Sequence, residues 1–216
     1  MRIAICVPHE GVVKARFAEC LAMLIGYTAS LRINYNDAVE RAEITLIFEG
    51  RGPLEYKRSQ CVRRSLEWGT DYLLFVDSDQ SFPADALVRL MARDLPVIGC
   101  NYSTRQEPPR PTAYGFEVEP VYTTPAKAAA SPVERVAGLG LGFCLVKAPV
   151  FDLIEHPLFR TIVNEKGELQ QGEDVYFWNR VHQAGLAVHV DHELSLSIGH
   201  IGEKVFLNAD AVPGDG

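Results

Sequence analysis

The sequence lacks an apolar run that could span a bilayer. Its longest apolar helix candidate, residues 17–31, contains Glu19 and is shorter than the roughly 20 residues that a transmembrane helix needs. The opening segment, residues 2–7, has the length of a strand and runs straight into a turn, unlike a signal peptide. These features predict a soluble, cytoplasmic protein with no transmembrane segment.

Basic residues are also scarce. The chain has 21 Lys and Arg against 28 Asp and Glu, which gives a formal net charge of −7. Nucleic-acid binding usually requires a basic face, so the sequence carries no strong nucleic-acid signature. Walker A, Gly-x-Ser-x-Gly and His-Glu-x-x-His motifs are missing as well, and with them the usual sequence signs of the corresponding enzyme classes.

The cysteines show no metal-ligand spacing. They are odd in number, scattered and mostly within apolar segments: Cys6, Cys20, Cys61, Cys100 and Cys144. This usage is typical of buried, reduced thiols in a cytosolic protein rather than of a disulfide framework.

Strand and helix patterns alternate over the first hundred residues. Apolar runs predict strands at residues 2–7, 44–48, 72–76 and 96–100. Apolar faces at helical spacing predict helices at residues 11–30, 56–68 and 83–93. This alternation predicts βαβ units, and therefore a single Rossmann-like α/β domain with a mostly parallel central sheet flanked by helices.

The second half has a different character. Residues 101–132 are rich in proline and small residues, which predicts loops and a hairpin around residues 114–121. Beyond them the pattern predicts strands at 133–137, 143–146 and 187–190, and helices at 149–156 and 173–184. We expect residues 209–216 to form a flexible tail.

One strand ends in two closely spaced carboxylates. The apolar run at residues 72–76 leads directly into Asp77-Ser78-Asp79. Such side chains lie at the carboxyl end of the strand, where ligands bind in open α/β sheets. The two carboxylates repel each other unless a cation, a donor network or a proton relieves them, and hard oxygen ligands suit Mg²⁺ or Mn²⁺. The structural alternative is a turn in which Asp79 or Ser81 caps the next helix.

Two further acidic residues, Glu173 and Asp174, stand at a predicted helix start about a hundred residues later. One of them is a candidate general base for an attacking hydroxyl. The alternative is that both simply favour the helix N-terminus, where negative charge is stabilising. His200, between glycines near the end of the chain, is a candidate metal ligand or a structural histidine.

The glycine run at residues 138–142 is a weak dinucleotide signal. It precedes a strand instead of opening a helix, and its spacing differs from the Rossmann fingerprint. Gly140 and Gly142 still permit close backbone approach to a ligand, and a tight strand connection is the alternative.

Taken in order, these segments resemble a GT-A-fold glycosyltransferase of the family-2-like group, which uses nucleotide-diphosphate sugars. The resemblance covers almost the whole chain and rests on Ile3-Ala4-Ile5-Cys6-Val7-Pro8, Arg58 ahead of Ser65-Leu66-Glu67-Trp68-Gly69, residues 71–79, residues 138–143, Gly172-Glu173-Asp174-Val175-Tyr176-Phe177, and His200. It implies a domain over residues 1–208, with a nucleotide-binding half at 1–100 and an acceptor half at 101–208.

The resemblance also implies roles for individual residues. Asp77, Ser78 and Asp79 would form the DxD motif that binds a UDP- or GDP-sugar. Asp79 and His200, with Asp77, would hold the Mn²⁺ or Mg²⁺ cofactor.

The remaining roles concern the nucleotide, the sugar and the base. Pro8, Glu49 and Arg58 would border the nucleotide, and Gly140 and Gly142 would approach the donor sugar or the acceptor. Asp174 is then the first candidate for the base and Glu173 the second.

The sequence departs from the family pattern in two places. Ser59 follows Arg58 where the family often has Asn, and Glu49-Gly50 replaces the commoner Asp-Asp-Gly.

Two other functions also fit the sequence. The Asp-Ser-Asp strand end also resembles the nucleophile motif of haloacid-dehalogenase-like phosphatases and phosphotransferases, and the fold could serve as a non-catalytic nucleotide-sugar binding module.

Overall fold

The computed structural model describes residues 1–35, 37–202 and 205–208. The expected tail at residues 209–216 therefore lies outside the described residues. The strands, in chain order, are β1 (Arg2–Pro8), β2 (Ile33–Tyr35), β3 (Ala38–Glu40), β4 (Glu43–Glu49), β5 (Tyr72–Val76), β6 (Gln80–Ser81), β7 (Val97–Gly99), β8 (Val133–Val136), β9 (Phe143–Lys147), β10 (Ile162–Val163), β11 (Leu169–Gln171), β12 (Val188–Asp191), β13 (Gly199–Ile201) and β14 (Val205–Leu207).

The helices of the described residues are α1 (Ala15–Ser30), α2 (Leu54–Trp68), α3 (Ala86–Ala92), α4 (Pro125–Ala130), α5 (Pro149–Leu153), α6 (Glu173–Gln183) and α7 (His192–Ser195). None of the described helices is long and apolar enough to cross a membrane.

A central seven-stranded sheet has the order β4-β1-β5-β9-β7-β12-β8. Neighbours pair in parallel at β4–β1, β1–β5 and β7–β12, whereas β9 and β8 run antiparallel to their neighbours. The predicted α/β fold with a mostly parallel sheet flanked by helices is confirmed. Small sheets β2–β3, β10–β11 and β14–β13–β6 surround it, and their short strands carried no clear sequence signal.

Both faces of the sheet are buried, which explains why its central strands are continuously apolar. On β5, Leu73 and Phe75 join a core cluster that includes residues of α2, α5 and α6. Tyr72, Leu74 and Val76 face the opposite cluster, which includes residues of α1 and α3. The five cysteines are free and buried, as expected.

Two predicted helix starts are wrong, because turns precede the helices. α1 begins at Ala15 rather than at residue 11. Gly11 adopts a left-handed φ of 94° and its N–H donates to His9 Nδ1 at 2.9 Å, which closes a turn. α3 begins at Ala86 rather than at residue 83, after a turn in which its N–H donates to the Pro83 carbonyl at 3.2 Å.

The middle of the chain also differs in part from expectation. Residues 125–130, expected to be a loop, form α4, whose N-cap Thr124 accepts a hydrogen bond from the Lys127 N–H. The expected hairpin is present as a bridge between Tyr114 and Pro120. β8 and β9 are not adjacent in the sheet, so the glycine run between them is not a tight hairpin. α5 ends at Leu153, short of the predicted residue 156.

Candidate active site

Strand register places the predicted site residues along one edge of the sheet. Pro8 ends β1, which pairs with β5, and its register partner Glu49 ends β4 on the other side of β1. β5 leads into Asp77. β9 runs the other way, so its first residue lies at this edge, and the Asp77 N–H donates to the Gly142 carbonyl at 2.9 Å. This is the carboxyl edge, where open α/β sheets bind ligands.

Three adjoining cavities form a groove along this edge. The Glu49 cavity, of about 540 Å³, is lined by His9, Phe48, Glu49, Gly50, Arg51 and Arg64. The Asp79 cavity, of about 310 Å³, includes Pro8, His9, Lys57, Asp77, Ser78 and Asp79. The Asp174 cavity, of about 540 Å³, includes Tyr102, Thr112, Tyr114, Gly140 and Asp174. His9 belongs to the first two cavities, and both Arg105 and His200 belong to the second and third.

Asp77 is held from below by a buried arginine. Arg58, in the second turn of α2, is 3% exposed. Its Nη2 lies 3.2 Å from Asp77 Oδ1, and its Nη1 lies 2.8 Å from Glu173 Oε1. Arg58 was expected to border the nucleotide, but it lies beneath the groove and joins the acidic turn to the start of α6. Burial opposes its charge, yet these carboxylates outweigh burial and raise the pKa of Arg58.

Asp79 has two different neighbours, one for each carboxylate oxygen. Oδ1 lies 3.4 Å from His200 Nε2, and Oδ2 lies 3.0 Å from Arg105 Nη1. Burial raises the pKa of Asp79, but the hydrogen bond from His200 and the charges of His200 and Arg105 outweigh it and lower the pKa. Neither predicted cap forms: the Ser81 hydroxyl donates to the Gly199 carbonyl, and no side chain caps α3.

His200 is oriented as a metal-ligating histidine would be. Its Nδ1 lies 3.0 Å from the Ser103 carbonyl oxygen, which can only accept, so Nδ1 carries a proton. Nε2 then faces Asp79: a charged ring donates to Asp79 through Nε2–H, and a neutral ring presents there the lone pair that a cation would bind. A backbone carbonyl on the second nitrogen is the usual support of a histidine ligand.

The Asp79–His200 pair fits a divalent cation with two protein ligands. Two donor atoms about 2.1 Å from an octahedral Mg²⁺ lie about 3 Å apart, close to the observed 3.4 Å. Among the described residues, no group of three or more His, Cys, Asp or Glu side chains is arranged to hold a metal ion. Two ligands suffice for Mg²⁺, because it keeps several waters and takes substrate phosphates as further ligands.

Glu173 and Asp174 are in the first turn of α6 but have different surroundings. Glu173 points to Arg58. Burial raises its pKa, Arg58 opposes this effect, and Asp174 adds to it. Asp174 lines its cavity beside Val175 and accepts the Val175 N–H at 2.7 Å. One Asp174 oxygen therefore serves the helix start, as the structural alternative expected, while the side chain still borders the groove.

The glycine run serves the packing of two tyrosines. A Cβ on Gly138 would overlap the Tyr114 hydroxyl, and one on Gly140 or Gly142 would overlap the Tyr102 hydroxyl. The Gly142 N–H donates to this hydroxyl at 3.0 Å, and the Tyr102 ring packs edge-on against His200. Gly140 is the one glycine of the run that lines a groove cavity. Gly142 instead accepts the Asp77 N–H through its carbonyl oxygen.

Sequence reasoning missed several residues of the groove, among them Lys57, Arg105 and Tyr102. Lys57 is 1% exposed and its ammonium contacts Glu10 in the Asp79 cavity. Arg105 joins two cavities, and Tyr102 supports His200. The only sequence signal for Lys57 was its position next to Arg58. The proline-rich loop around Arg105 carried no signal that Arg105 would line the groove.

The chain was compared with family models, curated proteins and solved structures. No family model matches it, and no curated protein matches it. The chain is similar to the crystal structure of A197 from STIV, with 20% sequence identity and a TM-score of 0.61 over 100% of this chain and 98% of that chain. At this level of identity the similarity shows the fold alone, which is an α/β domain of this architecture.

Proposed function

We propose that this protein is a metal-dependent glycosyltransferase of the GT-A type, which moves a sugar from a nucleoside-diphosphate donor to an acceptor hydroxyl. One observation carries the proposal: the Asp79 and Asp174 cavities adjoin through Arg105 and His200, so the acidic turn and Asp174 open onto one groove. Sugar transfer needs a diphosphate site and a base for the acceptor held side by side.

The order of the cavities fits the order of groups in a nucleotide sugar. The Glu49 cavity offers the rings of His9 and Phe48, 5.8 Å apart, together with polar groups that suit a nucleobase. The Asp79 cavity would take the diphosphate, and the Asp174 cavity would take the sugar and the acceptor hydroxyl. The donor would then be a UDP- or GDP-sugar.

The Asp79 cavity has the side chains that a diphosphate requires. Asp79 and His200 would hold Mn²⁺ or Mg²⁺, which would act as a Lewis acid and offset the charge on the departing diphosphate. Lys57 contributes a buried ammonium group on the same cavity. Asp77, fixed by Arg58, is the candidate for a ribose hydroxyl, and Ser78 lies between the two aspartates.

Asp174 is the proposed general base. It would take the acceptor's proton while the acceptor oxygen bonds to the anomeric carbon. The bond from that carbon to the diphosphate oxygen breaks, and the nucleoside diphosphate leaves with the electron pair. Glu173 is the weaker candidate, because the buried Arg58 holds one of its oxygens below the groove. Its role would be to position α6.

Donor identity is the first test. A thermal-shift panel of UDP- and GDP-sugars, with and without Mn²⁺, should give a metal-dependent rise in melting temperature for one donor, because a ligand that binds the folded state stabilises it. Transfer or slow hydrolysis of that donor should then fall by about 10²- to 10⁴-fold in Asp174→Asn. Asp152→Asn, an exposed carboxylate on α5, is the matched control and should keep full activity.

Two other outcomes would replace the proposal. Donor binding with neither transfer nor hydrolysis, unchanged in Asp174→Asn, would indicate a nucleotide-sugar binding module. Phosphate release from an aryl phosphate that Asp77→Asn abolishes would indicate a haloacid-dehalogenase-like phosphatase. The Arg58 contact on Asp77 Oδ1 makes that carboxylate a poorer nucleophile than an open one would be.

A further inference from the structure

Arg105 lies between the two central cavities of the groove. Its loop, residues 104–110, is closed at the base, where the Thr104 N–H donates to the Arg110 carbonyl at 2.8 Å. The Arg110 N–H donates back to the Thr104 hydroxyl at 3.0 Å. The Arg105 side chain is 45% exposed and lines both cavities. The loop backbone is thus held by hydrogen bonds at its base, while the exposed guanidinium of Arg105 has space to change its direction.

The present partner of Arg105 is one of the proposed cation ligands. Its Nη1 lies 3.0 Å from Asp79 Oδ2, on the carboxylate whose other oxygen faces His200. The guanidinium therefore supplies the positive charge beside Asp79 that the proposed function assigns to a divalent cation. The guanidinium and the divalent cation cannot hold this carboxylate equally well at the same time, because like charges at such distances repel.

The other carboxylates of the Asp79 cavity already have cationic partners. Asp77 is paired with Arg58, and Glu10 is paired with Lys57. Arg58 is fixed by burial and by its second partner, Glu173, so it cannot turn to a ligand. Arg105 is the half-exposed arginine of this cavity, and the planar fork of a guanidinium matches phosphate oxygens in a bidentate manner.

The geometry points to a partner exchange: Arg105 holds Asp79 in the ligand-free protein and moves to the donor diphosphate when the cation and the donor occupy the cavity. This inference rests on the proposed function and adds to it a diphosphate-binding residue. Arg105 would keep the acidic turn neutralised before the donor arrives, and it would add charge-assisted hydrogen bonds afterwards.

The exchange predicts effects of opposite sign in one variant. Arg105→Gln removes a competitor for Asp79, so Mn²⁺ alone should bind about two- to fivefold more tightly than to the wild type. The same variant lacks a diphosphate contact, so UDP or GDP at saturating Mn²⁺ should bind about tenfold more weakly. Arg110→Gln, the same substitution at the far end of the loop, should change neither affinity.

Calorimetry with Mn²⁺ alone, and then with UDP and GDP at saturating Mn²⁺, measures both effects. A gain in Mn²⁺ affinity with unchanged nucleotide affinity would overturn the exchange and leave only an ion pair. A loss of nucleotide affinity with unchanged Mn²⁺ affinity would also overturn it, leaving a simple phosphate contact. If neither nucleotide binds the wild type, the proposed function fails and this inference fails with it.

Discussion

Two arginines hold the two aspartates of one turn, one from beneath the groove and the other from a loop at its surface. Arg58 reaches Asp77 from the protein interior and is 3% exposed, whereas Arg105 reaches Asp79 from a surface loop with a side chain that is 45% exposed. The first arginine also binds Glu173, so its geometry is fixed by two carboxylates. The comparison teaches that one Asp-x-Asp can combine a rigid support with an exchangeable contact.

The largest expected effect is a loss of unfolding free energy on substitution of Arg58, the buried arginine. Arg58→Gln would leave Asp77 and Glu173 without their cation, and breaking a buried ion pair costs about 3–5 kcal/mol of unfolding free energy. The same substitution at Arg105 should cost less than about 1 kcal/mol, as for exposed pairs. Urea denaturation of both variants measures the difference. Equal losses would show that the two arginines do not differ as described.

A second way to sharpen the comparison is to disturb the backbone behind Asp77. A Cβ on Gly142 would lie 2.5 Å from the Tyr102 hydroxyl oxygen, in a well-packed region. Gly142→Ala should therefore lower the unfolding free energy by about 1–3 kcal/mol. Gly26, within α1, would place its Cβ in open space, so Gly26→Ala should raise stability by about 0.5–1 kcal/mol. Thermal unfolding measures both changes. Melting temperatures that shift in the same direction in the two variants would contradict this packing.

The smallest expected effect is a pH dependence at Glu173. Burial raises its pKa above the ordinary value of 4.5, so the folded protein binds this proton more tightly than the unfolded chain. The resulting stability is fully present below pH 4.5 and is lost as the pH rises through the folded pKa. Relative to Glu173→Gln, the wild type should thus lose stability as the pH rises above 4.5. Denaturation curves at stepped pH test this, and a pH-independent difference between the two proteins would count against it.

Much of the site edge could be predicted because it depends on short-range pattern. An apolar run of strand length fixed the position of Asp77 and Asp79, and parallel pairing then brought Pro8 and Glu49 to the same edge. The Glu-Asp pair at the start of α6 followed equally from a local helix signal.

The partners of these residues could not be predicted, because they depend on distant packing. Arg58 meets Glu173 across 115 residues of sequence, and nothing in the α2 pattern marks it as buried. Arg105 is in a proline-rich loop without periodicity, so its contact with Asp79 exists only in the folded chain. The glycines at 138–142 indicated that another group approaches the backbone closely, but they did not show that this group is the side chain of Tyr102 or Tyr114 rather than a ligand.

The central claim is that Asp79 helps to hold a cation and a nucleoside diphosphate in one cavity. Isothermal titration calorimetry of UDP and GDP with the wild type and with Asp79→Asn, in the presence and absence of Mn²⁺, tests it most directly. We expect one nucleotide to bind the wild type only with Mn²⁺, and to lose at least about tenfold in affinity in Asp79→Asn. Absence of Mn²⁺-dependent binding, or equal binding by both proteins, would contradict the account.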